Sequence, residues 1–329
     1  MKKIVKLLSI VLPLFILQQN IFAQNDNNKK YEFVKNKSVN KSYTVSSSDK
    51  LSIQNSFGDV QVHTWAKNEI KIDVSVEVSA NSEAVAQKII DGINVADSKN
   101  GGDISFKTSI KSVNNSKNEK TTMKVNYEIS MPASNPLRIS NEFGATVLPD
   151  YKGEIELTSK FGSLTAGALS NVKSVDVEFG KANIESIVDG PISIKYSSAE
   201  IGKLSGKIKL DLEFSSATKI KIDNSLTSLD AKVSYSTINL RPVGDLPATY
   251  TISTSFGSFK NKTNIKFDSD ENNDEDKGPK FDHNYNGKSG NGSIPIKLNT
   301  SFGNIILGEA TDEDMKDKEK SKSKTRVSS

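Results

Sequence analysis

The 329-residue chain has no cysteine, two histidines and a single tryptophan. Without cysteine it can form no disulfide, no thiol nucleophile, no cysteine-ligated zinc site and no iron–sulfur cluster. Two histidines also leave few ways to build a transition-metal site. A chain of this length buries roughly 70 to 75% of its unfolded surface, so its core needs no covalent or metal staple. Most redox and metal chemistry is therefore excluded, and we expect no cofactor.

The chain also lacks a strong excess of charge of either sign, with 44 basic and 40 acidic residues. Lys2 and Lys3 precede the apolar run from Ile4 to Leu17, Lys6 lies near its start, and Ala23 comes just before a polar stretch. This pattern is typical of a secretory signal peptide, residues 1–23, cleaved after Ala23. We therefore expect an exported protein that is periplasmic, attached to the cell surface or secreted.

The mature chain would carry 41 basic and 40 acidic residues spread along its length. Nucleic-acid binding needs a concentrated basic surface, so a nucleic acid is not expected as a partner. After residue 23 no apolar run reaches 18 residues, which predicts no transmembrane segment in the mature chain.

What the chain does contain is an internal repeat. An aromatic residue followed by glycine or serine recurs nine times, at Phe57, Phe143, Phe161, Phe179, Tyr196, Phe214, Tyr235, Phe256 and Phe302. From Phe143 to Phe256 the spacings are 18, 18, 17, 18, 21 and 21 residues. The fourth residue before the aromatic is apolar in all nine copies, and the third residue after it in eight. Apolar alternation on both sides predicts two short strands with one buried face, and the glycine or serine marks the corner between them.

One such unit cannot bury its apolar face alone, whereas a stack of units can. We therefore predict an all-β chain that forms a parallel β-solenoid, or β-helix, with the aromatics as an internal ladder. Each repeat would form one turn of the solenoid, called a rung. The rungs are up to 21 residues long and lack the hexapeptide repeat of left-handed β-helices, which favours the right-handed form. The alternative, a β-sandwich, predicts an Asn-Gly or Asp-Gly turn in each repeat. Such pairs, for example at residues 91–92, 189–190, 286–287 and 291–292, do not occur once in each repeat.

Composition divides the chain as follows. We predict a signal peptide over 1–23, a partly disordered N-terminal extension over 24–49, an N-terminal cap region with the first repeat over 50–135, solenoid repeats over 136–310 with a disordered loop insertion at 266–293, and a charged disordered tail over 311–329. Within the cap we predict strands at 69–78, 103–110 and 121–131. Residues 82–93 form an amphipathic helix there, with Ser82 as its cap and the exposed edge of the stack beneath it.

The segments LSIQNSFGDVQVHTW and LRISNEFGATV and the repeats that follow resemble the DUF4097 family of exported bacterial proteins, often labelled adhesins. They are also similar in kind to the DUF2807 head GIN domain. The resemblance covers residues 50–308 and implies a β-helix fold similar to that of pectate lyases, with no enzyme activity. The leader and the Asn- and Lys-rich composition look like those of Bacteroidetes proteins.

No catalytic, cofactor-binding or metal-binding residue can be assigned. The acids Glu178, Glu185, Glu200, Asp211 and Glu213 fall at outward positions and share no common offset, so they predict a solvated surface rather than the paired carboxylates of a glycosidase. His63 and His283 have no identifiable catalytic partner. Trp65 and His63 could contact a ligand, but core or cap packing is the commoner use of a lone tryptophan.

The acidic residues Asp268, Asp270, Asp274 and Asp276 raise the question of calcium. Counted from Asp268, the position that requires glycine in an EF-hand loop is Asn273, so a solvated charged loop is favoured over a calcium site at 268–276.

The sequence thus favours an exported non-enzymatic scaffold, an adhesin or a surface or envelope binding protein, with an unidentified protein or glycan as its partner. The Ser-rich corners at 197–198 and 215–216 are a hint of such a surface. A periplasmic accessory protein in envelope-stress or regulatory signalling is the second hypothesis, and a glycan-active β-helix enzyme is the third.

Overall fold

The computed structural model describes residues 31–112, 119–216, 218–270 and 281–315. In these ranges the chain is all-β with one helix, α1 (Glu83–Gly92), and its strands form a single hydrogen-bonded network. The strands are β1 (Phe33–Thr44), β2 (Lys50–Ser56), β3 (Val60–Trp65), β4 (Glu69–Ala80), β5 (Ile93–Asn100), β6 (Asp103–Ile110), β7 (Thr121–Pro132), β8 (Leu137–Glu142), β9 (Ala145–Leu148), β10 (Ile155–Lys160), β11 (Ser163–Leu169), β12 (Val172–Glu178), β13 (Lys181–Lys195), β14 (Ser198–Glu213), β15 (Thr218–Ser234), β16 (Thr237–Pro242), β17 (Ala248–Ser255), β18 (Ser258–Lys262), β19 (Phe267–Ser269), β20 (Asp282–Lys288), β21 (Ile294–Ser301) and β22 (Asn304–Gly308). The predicted signal peptide lies outside the described residues.

The strands stack in two columns that meet at the aromatic corner of each repeat. The leading column holds β6 and then the strand before each of the nine aromatics, in the order β6, β2, β8, β10, β12, β13, β14, β15, β21 and β17. The trailing column holds β7 and then the strand after each aromatic, in the order β7, β3, β9, β11, β13, β14, β15, β16, β22 and β18. Each of β13, β14 and β15 contributes its first part to the trailing column and its last part to the leading column. All of these neighbours are parallel, and each repeat forms one rung across both columns.

Alternation along each strand places the apolar residues inside. In β10, Ile155, Leu157 and Ser159 are buried, whereas the residues between them face outward. The apolar positions recognised in the repeat, such as Leu157 four residues before Phe161 and Leu164 three residues after it, line the interior. The two-strand interpretation of the repeat is confirmed by this burial pattern.

The corner itself has an unusual backbone. All nine repeat aromatics adopt a left-handed conformation, with φ between 47° and 64°. The backbone nevertheless stays hydrogen-bonded from rung to rung, because the N–H of Phe161 donates to the Glu178 carbonyl at 3.0 Å and the other corners repeat this bond. The residue after the aromatic is glycine where backbones approach closely: a Cβ on Gly162 would lie 1.9 Å from the Gly144 carbonyl oxygen.

Three successive corners use serine instead of glycine, at Ser197, Ser215 and Ser236. Their hydroxyl oxygens accept bonds from the backbone N–H of the preceding corner, at 2.9 Å from Gly180, 3.3 Å from Ser197 and 2.8 Å from Ser215. Each hydroxyl also donates to the carbonyl two residues earlier in its own rung. These serines therefore connect rungs inside the stack. In the pairs 197–198 and 215–216, which the sequence suggests as a surface, only Ser198 and Ser216 reach solvent.

The rungs do not follow chain order at the C-terminal end. Strand β21 pairs with β15 on one side and β17 on the other, and β22 lies between β16 and β18. The last repeat in the sequence, that of Phe302, is thus inserted between the rungs of Tyr235 and Phe256. Nothing in the repeat spacing indicates this insertion.

The alignment of one repeat also differs from the sequence prediction. The repeat predicts that Ala217, three residues after Phe214, takes the inward position that Ile238 takes after Tyr235. Ala217 lies outside the described residues, and it is Thr218 that pairs with Ile238. Thr218 is fully buried, so this rung holds one extra residue at its corner. The longer spacing of 21 residues to the next aromatic is consistent with that extra residue.

Both ends of the stack carry antiparallel strands. At the N-terminal end β5 pairs with β6, and β1 and β4 extend the trailing column beyond β7. The predicted helix is confirmed as α1, which contacts β1, β4 and β5 and buries Ala86, Ile89 and Ile90. Ser82 occupies the N-cap position, but its side chain makes no capping hydrogen bond.

At the C-terminal end the prediction of a disordered loop over 266–293 is wrong for its flanks. Strand β20 pairs antiparallel with β17, and β19 pairs with β20. Residues 271–280, between these strands, lie outside the described residues, as do residues 316–329 of the predicted tail. The extension predicted over 24–49 contains β1 from Phe33 to Thr44. In the described part of the chain no helix has the length and apolar character needed to cross a membrane.

Candidate functional site: an exposed aromatic ladder

The most regular feature of the surface is a column of stacked aromatic rings along the outside of the corners. Within the described residues it contains ten rings, in the spatial order Phe57, Phe143, Phe161, Phe179, Tyr196, Phe214, Tyr235, Phe302, Phe256 and Phe281. Neighbouring ring centroids are 4.7 to 5.0 Å apart and their planes deviate by at most 17°. Because this spacing equals that of hydrogen-bonded strands, the rings follow the rungs over roughly 44 Å. We call this feature the aromatic ladder.

The aromatic ladder faces solvent, and the prediction of an internal ladder is wrong. Its rings are between 37% exposed, at Phe57, and 54% exposed, at Phe256. The physical reason is the left-handed backbone at each aromatic, which breaks the alternation of inward and outward side chains at the corner. Aromatic side chains that do lie in the core, Phe106, Tyr127, Tyr151 and Tyr250, stand outside the repeat motif.

The stacking determines which part of each ring is available. Both faces of an internal ring such as Phe179 are covered by its neighbours, Phe161 and Tyr196. The exposed part is therefore the ring edge, whose hydrogens carry partial positive charge. Two rings, Tyr196 and Tyr235, add a phenol hydroxyl to this row. The aromatic ladder thus presents a long, apolar, evenly spaced row of edges rather than stacking platforms.

A row of polar residues runs beside the aromatic ladder, one residue before each repeat aromatic, and five of these residues are charged. Its central members alternate in sign from rung to rung, in the order Glu142, Lys160, Glu178, Lys195 and Glu213. The Lys160 ammonium lies 3.0 Å from the Glu178 carboxylate, and the Lys195 ammonium lies 2.9 Å from that of Glu213. In each pair the hydrogen-bonded carboxylate raises the lysine pKa above its usual value. We call these five residues the alternating charge row.

This row corrects the sequence prediction that the acids share no common offset. Glu178 and Glu213 both directly precede a repeat aromatic, as does Glu142. The signal was present in the sequence, but it appears only when the lysines at the same offset are included. Opposite charges on adjacent strands attract and like charges repel, which accounts for the alternation.

A small cleft lies beside the alternating charge row. Its volume is about 390 Å³, and its lining includes Thr158, Asp176 and Ser193 together with Lys160, Glu178 and Lys195. Burial raises the pKa of the Asp176 carboxyl above its usual value, since the charged form is poorly solvated there. The cleft offers polar contacts to any partner that lies along the ladder.

A larger groove of about 780 Å³ lies at the other end of the leading strands. It brings together the lysines Lys207, Lys209 and Lys297 and the acids Asp189 and Asp230, above Ile208 and Leu229. One Asp189 carboxylate oxygen on β13 accepts the Lys207 backbone N–H of β14 at 2.7 Å and so connects the two strands. The groove carries mixed charge and is a second candidate surface.

The histidine and tryptophan considered as ligand contacts lie on β3, away from the aromatic ladder. The Nε2 atom of His63 is 2.9 Å from a Glu128 carboxylate oxygen on β7. The Trp65 indole N–H donates to the Glu69 carbonyl at 2.8 Å, and the Lys67 ammonium lies 4.7 Å from its ring centroid. These contacts connect neighbouring strands at the N-terminal end and point to packing rather than a ligand site.

The acidic run is only partly described. Asp268 lies on β19, and the Asp270 carboxylate accepts hydrogen bonds from the Asn284 backbone N–H at 3.1 Å and side-chain amide at 3.0 Å. Asp274 and Asp276 lie outside the described residues, so calcium binding stays an open prediction. Among the residues with described positions, no three His, Asp or Glu side chains cluster as metal ligands would.

Comparison with known proteins gives distant structural likeness only. No family model and no curated protein matches the chain, so the DUF4097 resemblance rests on the quoted motifs.

Among solved structures, a candidate adhesin from Bacteroides fragilis is 14% identical with a TM-score of 0.36, covering 82% of this chain and 97% of that one. A candidate cell adhesion protein from Clostridium sporogenes is 13% identical with a TM-score of 0.25, covering 84% and 100%. A candidate lipid binding protein from Parabacteroides distasonis is 12% identical with a TM-score of 0.25, covering 83% and 97%. Likenesses this distant carry no argument about fold or function, which rest on the geometry of the chain itself.

Proposed function

We propose that the chain is an exported, non-enzymatic binding scaffold of the adhesin kind. In this proposal the two columns form a right-handed parallel β-solenoid, and the aromatic ladder with its alternating charge row is the binding surface at the cell envelope. The signal-peptide pattern of residues 1–23 supports export. The parallel pairing of rung on rung supports the solenoid.

One observation carries the proposal: nine repeats place a large aromatic side chain half in solvent on a left-handed backbone. For a bulky residue this conformation is unfavourable by about 1 to 2 kcal/mol, whereas glycine or asparagine adopts it readily. Stacking stabilises each ring pair by about 0.5 to 1.5 kcal/mol, which only offsets the backbone strain. An aromatic residue at the corner therefore adds little to the stability of the fold. A contiguous exposed apolar row of this length is typical of an interaction surface.

The geometry also favours binding over catalysis. A glycosidase needs two carboxyl groups held about 5 to 10 Å apart across a substrate cleft. Lysines separate the acids beside the aromatic ladder, and Lys160 and Lys195 pair with Glu178 and Glu213. Paired and partly exposed carboxylates of this kind suit a surface that makes many weak polar contacts.

The second hypothesis is a periplasmic accessory protein in envelope signalling, which would use the same surface for one envelope partner. The two uses differ in location, so protease treatment of intact producing cells separates them. Degradation of the protein on intact cells supports adhesion, whereas protection until the envelope is opened supports the periplasmic role.

The binding surface is tested with a variant that removes three rings and keeps the corners. Asparagine tolerates the left-handed conformation, so Phe161→Asn, Phe179→Asn and Phe214→Asn together should leave the fold intact. We expect this variant of the mature chain to lose the binding to intact producing cells that the wild type shows. The matched control replaces Lys207, Lys209 and Lys297 of the larger groove with asparagine and should bind like the wild type. Equal binding by the ladder variant, or loss only in the groove variant, would reject the aromatic ladder as the binding surface.

A further inference from the structure

We propose that the aromatic ladder binds a second copy of this chain, antiparallel to the first and row against row. This inference rests on the proposed function and names the partner of its binding surface.

The ring faces argue against sugar rings as the main ligand along the aromatic ladder. Carbohydrates stack on open aromatic faces, and the internal faces here are covered at 4.7 to 5.0 Å by neighbouring rings. Edges at this spacing instead match another apolar row with the same period. That period is the strand spacing of a β-sheet, so the fitting surface is itself a β-stack.

The charge order then selects among β-stacks. A two-fold axis between the rungs of Glu178 and Lys195 places the Glu178 carboxylate against Lys195 of the second copy. The same axis sets Lys160 against Glu213 of the second copy, and Glu142 against Ser234 of the second copy. Every charge in the row thus meets an opposite or neutral side chain, and none meets its own sign. Such self-complementarity is what an isologous dimer interface requires.

The rows on either side of the aromatic ladder are compatible with this axis. Two residues after each ring, Lys181 would meet Ser198 of the second copy and Asp59 would meet Asn304 of the second copy. Three residues before each ring, Asp176 would meet Ser193 of the second copy. No like charges oppose each other in these rows. Electrostatic repulsion outside the alternating charge row therefore does not oppose this alignment of the two copies.

The experiment is sedimentation velocity on the mature chain over a concentration series at low and high salt. We expect a reversible dimer at low salt that weakens as salt rises, because the paired charges are partly exposed. An acidic variant, Lys160→Glu with Lys195→Glu, and a basic variant, Glu142→Lys with Glu178→Lys and Glu213→Lys, should each be monomeric. Their equimolar mixture should dimerise again.

A fully inverted variant controls for folding, since it exchanges all five charges but keeps the alternation within each molecule. It should fold and dimerise like the wild type. A monomeric wild type, dimers of either single-sign variant at wild-type strength, or a mixture that stays monomeric would overturn the proposal. A monomeric wild type whose binding to cells still depends on the aromatic ladder would leave the proposed function standing and point to a different partner.

Discussion

Phe161 and Phe179 stack with their ring centroids 4.9 Å apart and their planes 2° from parallel. Both residues have φ of 53°, and both rings are nearly half exposed. The pair therefore combines a favourable contact with an unfavourable backbone, repeated along the whole stack.

This combination predicts a small effect when one ring is removed. Phe179→Gly loses two stacking contacts but relieves the left-handed strain, so we expect the free energy of unfolding to fall by about 1 kcal/mol or less. Urea denaturation of the mature chain measures it. A buried phenylalanine would lose about 3 to 5 kcal/mol, so a loss of that size would contradict the exposed position.

The glycine next to the ring should be less tolerant than the ring. A Cβ on Gly162 would lie 1.9 Å from the Gly144 carbonyl oxygen, so the rungs must separate to admit it. We expect Gly162→Ala to lower the free energy of unfolding by about 3 kcal/mol or more. The matched control is Gly101→Ala, at a turn with φ of 58° and no atom within 4 Å, where only strain of about 1 kcal/mol applies. Equal losses at the two sites would show that the close approach does not limit the stack.

The sequence predicts the elements of this fold well because their cause is local. Alternation around Leu157 and Leu164 sets two strands with one buried face, and the corner requires a small residue such as Gly162. The outward direction of the rings depends on φ at the corner, which apolar spacing does not encode. The alternating charge row is visible in the sequence at the position directly before each aromatic, but only when lysines and acids are considered together.

The order of the last rungs could not be predicted, because repeats with the same pattern fit either order. Leu298 and Ile252 occupy equivalent positions in the rungs of Phe302 and Phe256, so the repeat pattern would allow either residue to be the register partner of Ala231. Only the strand pairing places β21 beside β15.

That insertion can be tested with engineered disulfides, since the natural chain contains no cysteine. Ser234 and Ser301 are register partners on adjacent strands, so Ser234→Cys with Ser301→Cys should form a disulfide on mild oxidation. Ser234 and Ser255 lie on opposite sides of β21 and are separated by about 9 to 10 Å, beyond disulfide reach. Ser234→Cys with Ser255→Cys should therefore stay reduced. Oxidation of the second pair in place of the first would mean that the rungs follow chain order.

Buried tyrosines predict sensitivity to alkaline pH. Burial raises the pKa of Tyr127 to about 12 and raises that of Tyr151 as well, because the phenolate is poorly solvated in the core. The stabilising contribution is complete below the unfolded pKa of about 10 and is lost as pH rises towards the folded value. We expect the free energy of unfolding to decline above pH 10, measured by urea denaturation at successive pH values. Tyr127→Phe should decline less steeply, and an unchanged slope in that variant would exclude Tyr127 as a cause.

The solvent exposure of the aromatic ladder is measured directly by hydroxyl-radical footprinting with mass spectrometry. In the free mature chain we expect rapid oxidation at Phe143, Phe161 and Phe179 and slow oxidation at the buried Phe106. Addition of the binding partner should protect the aromatic ladder and leave Phe106 unchanged. Ladder rings as unreactive as Phe106 in the free chain would contradict the exposed aromatic ladder and the binding surface built on it.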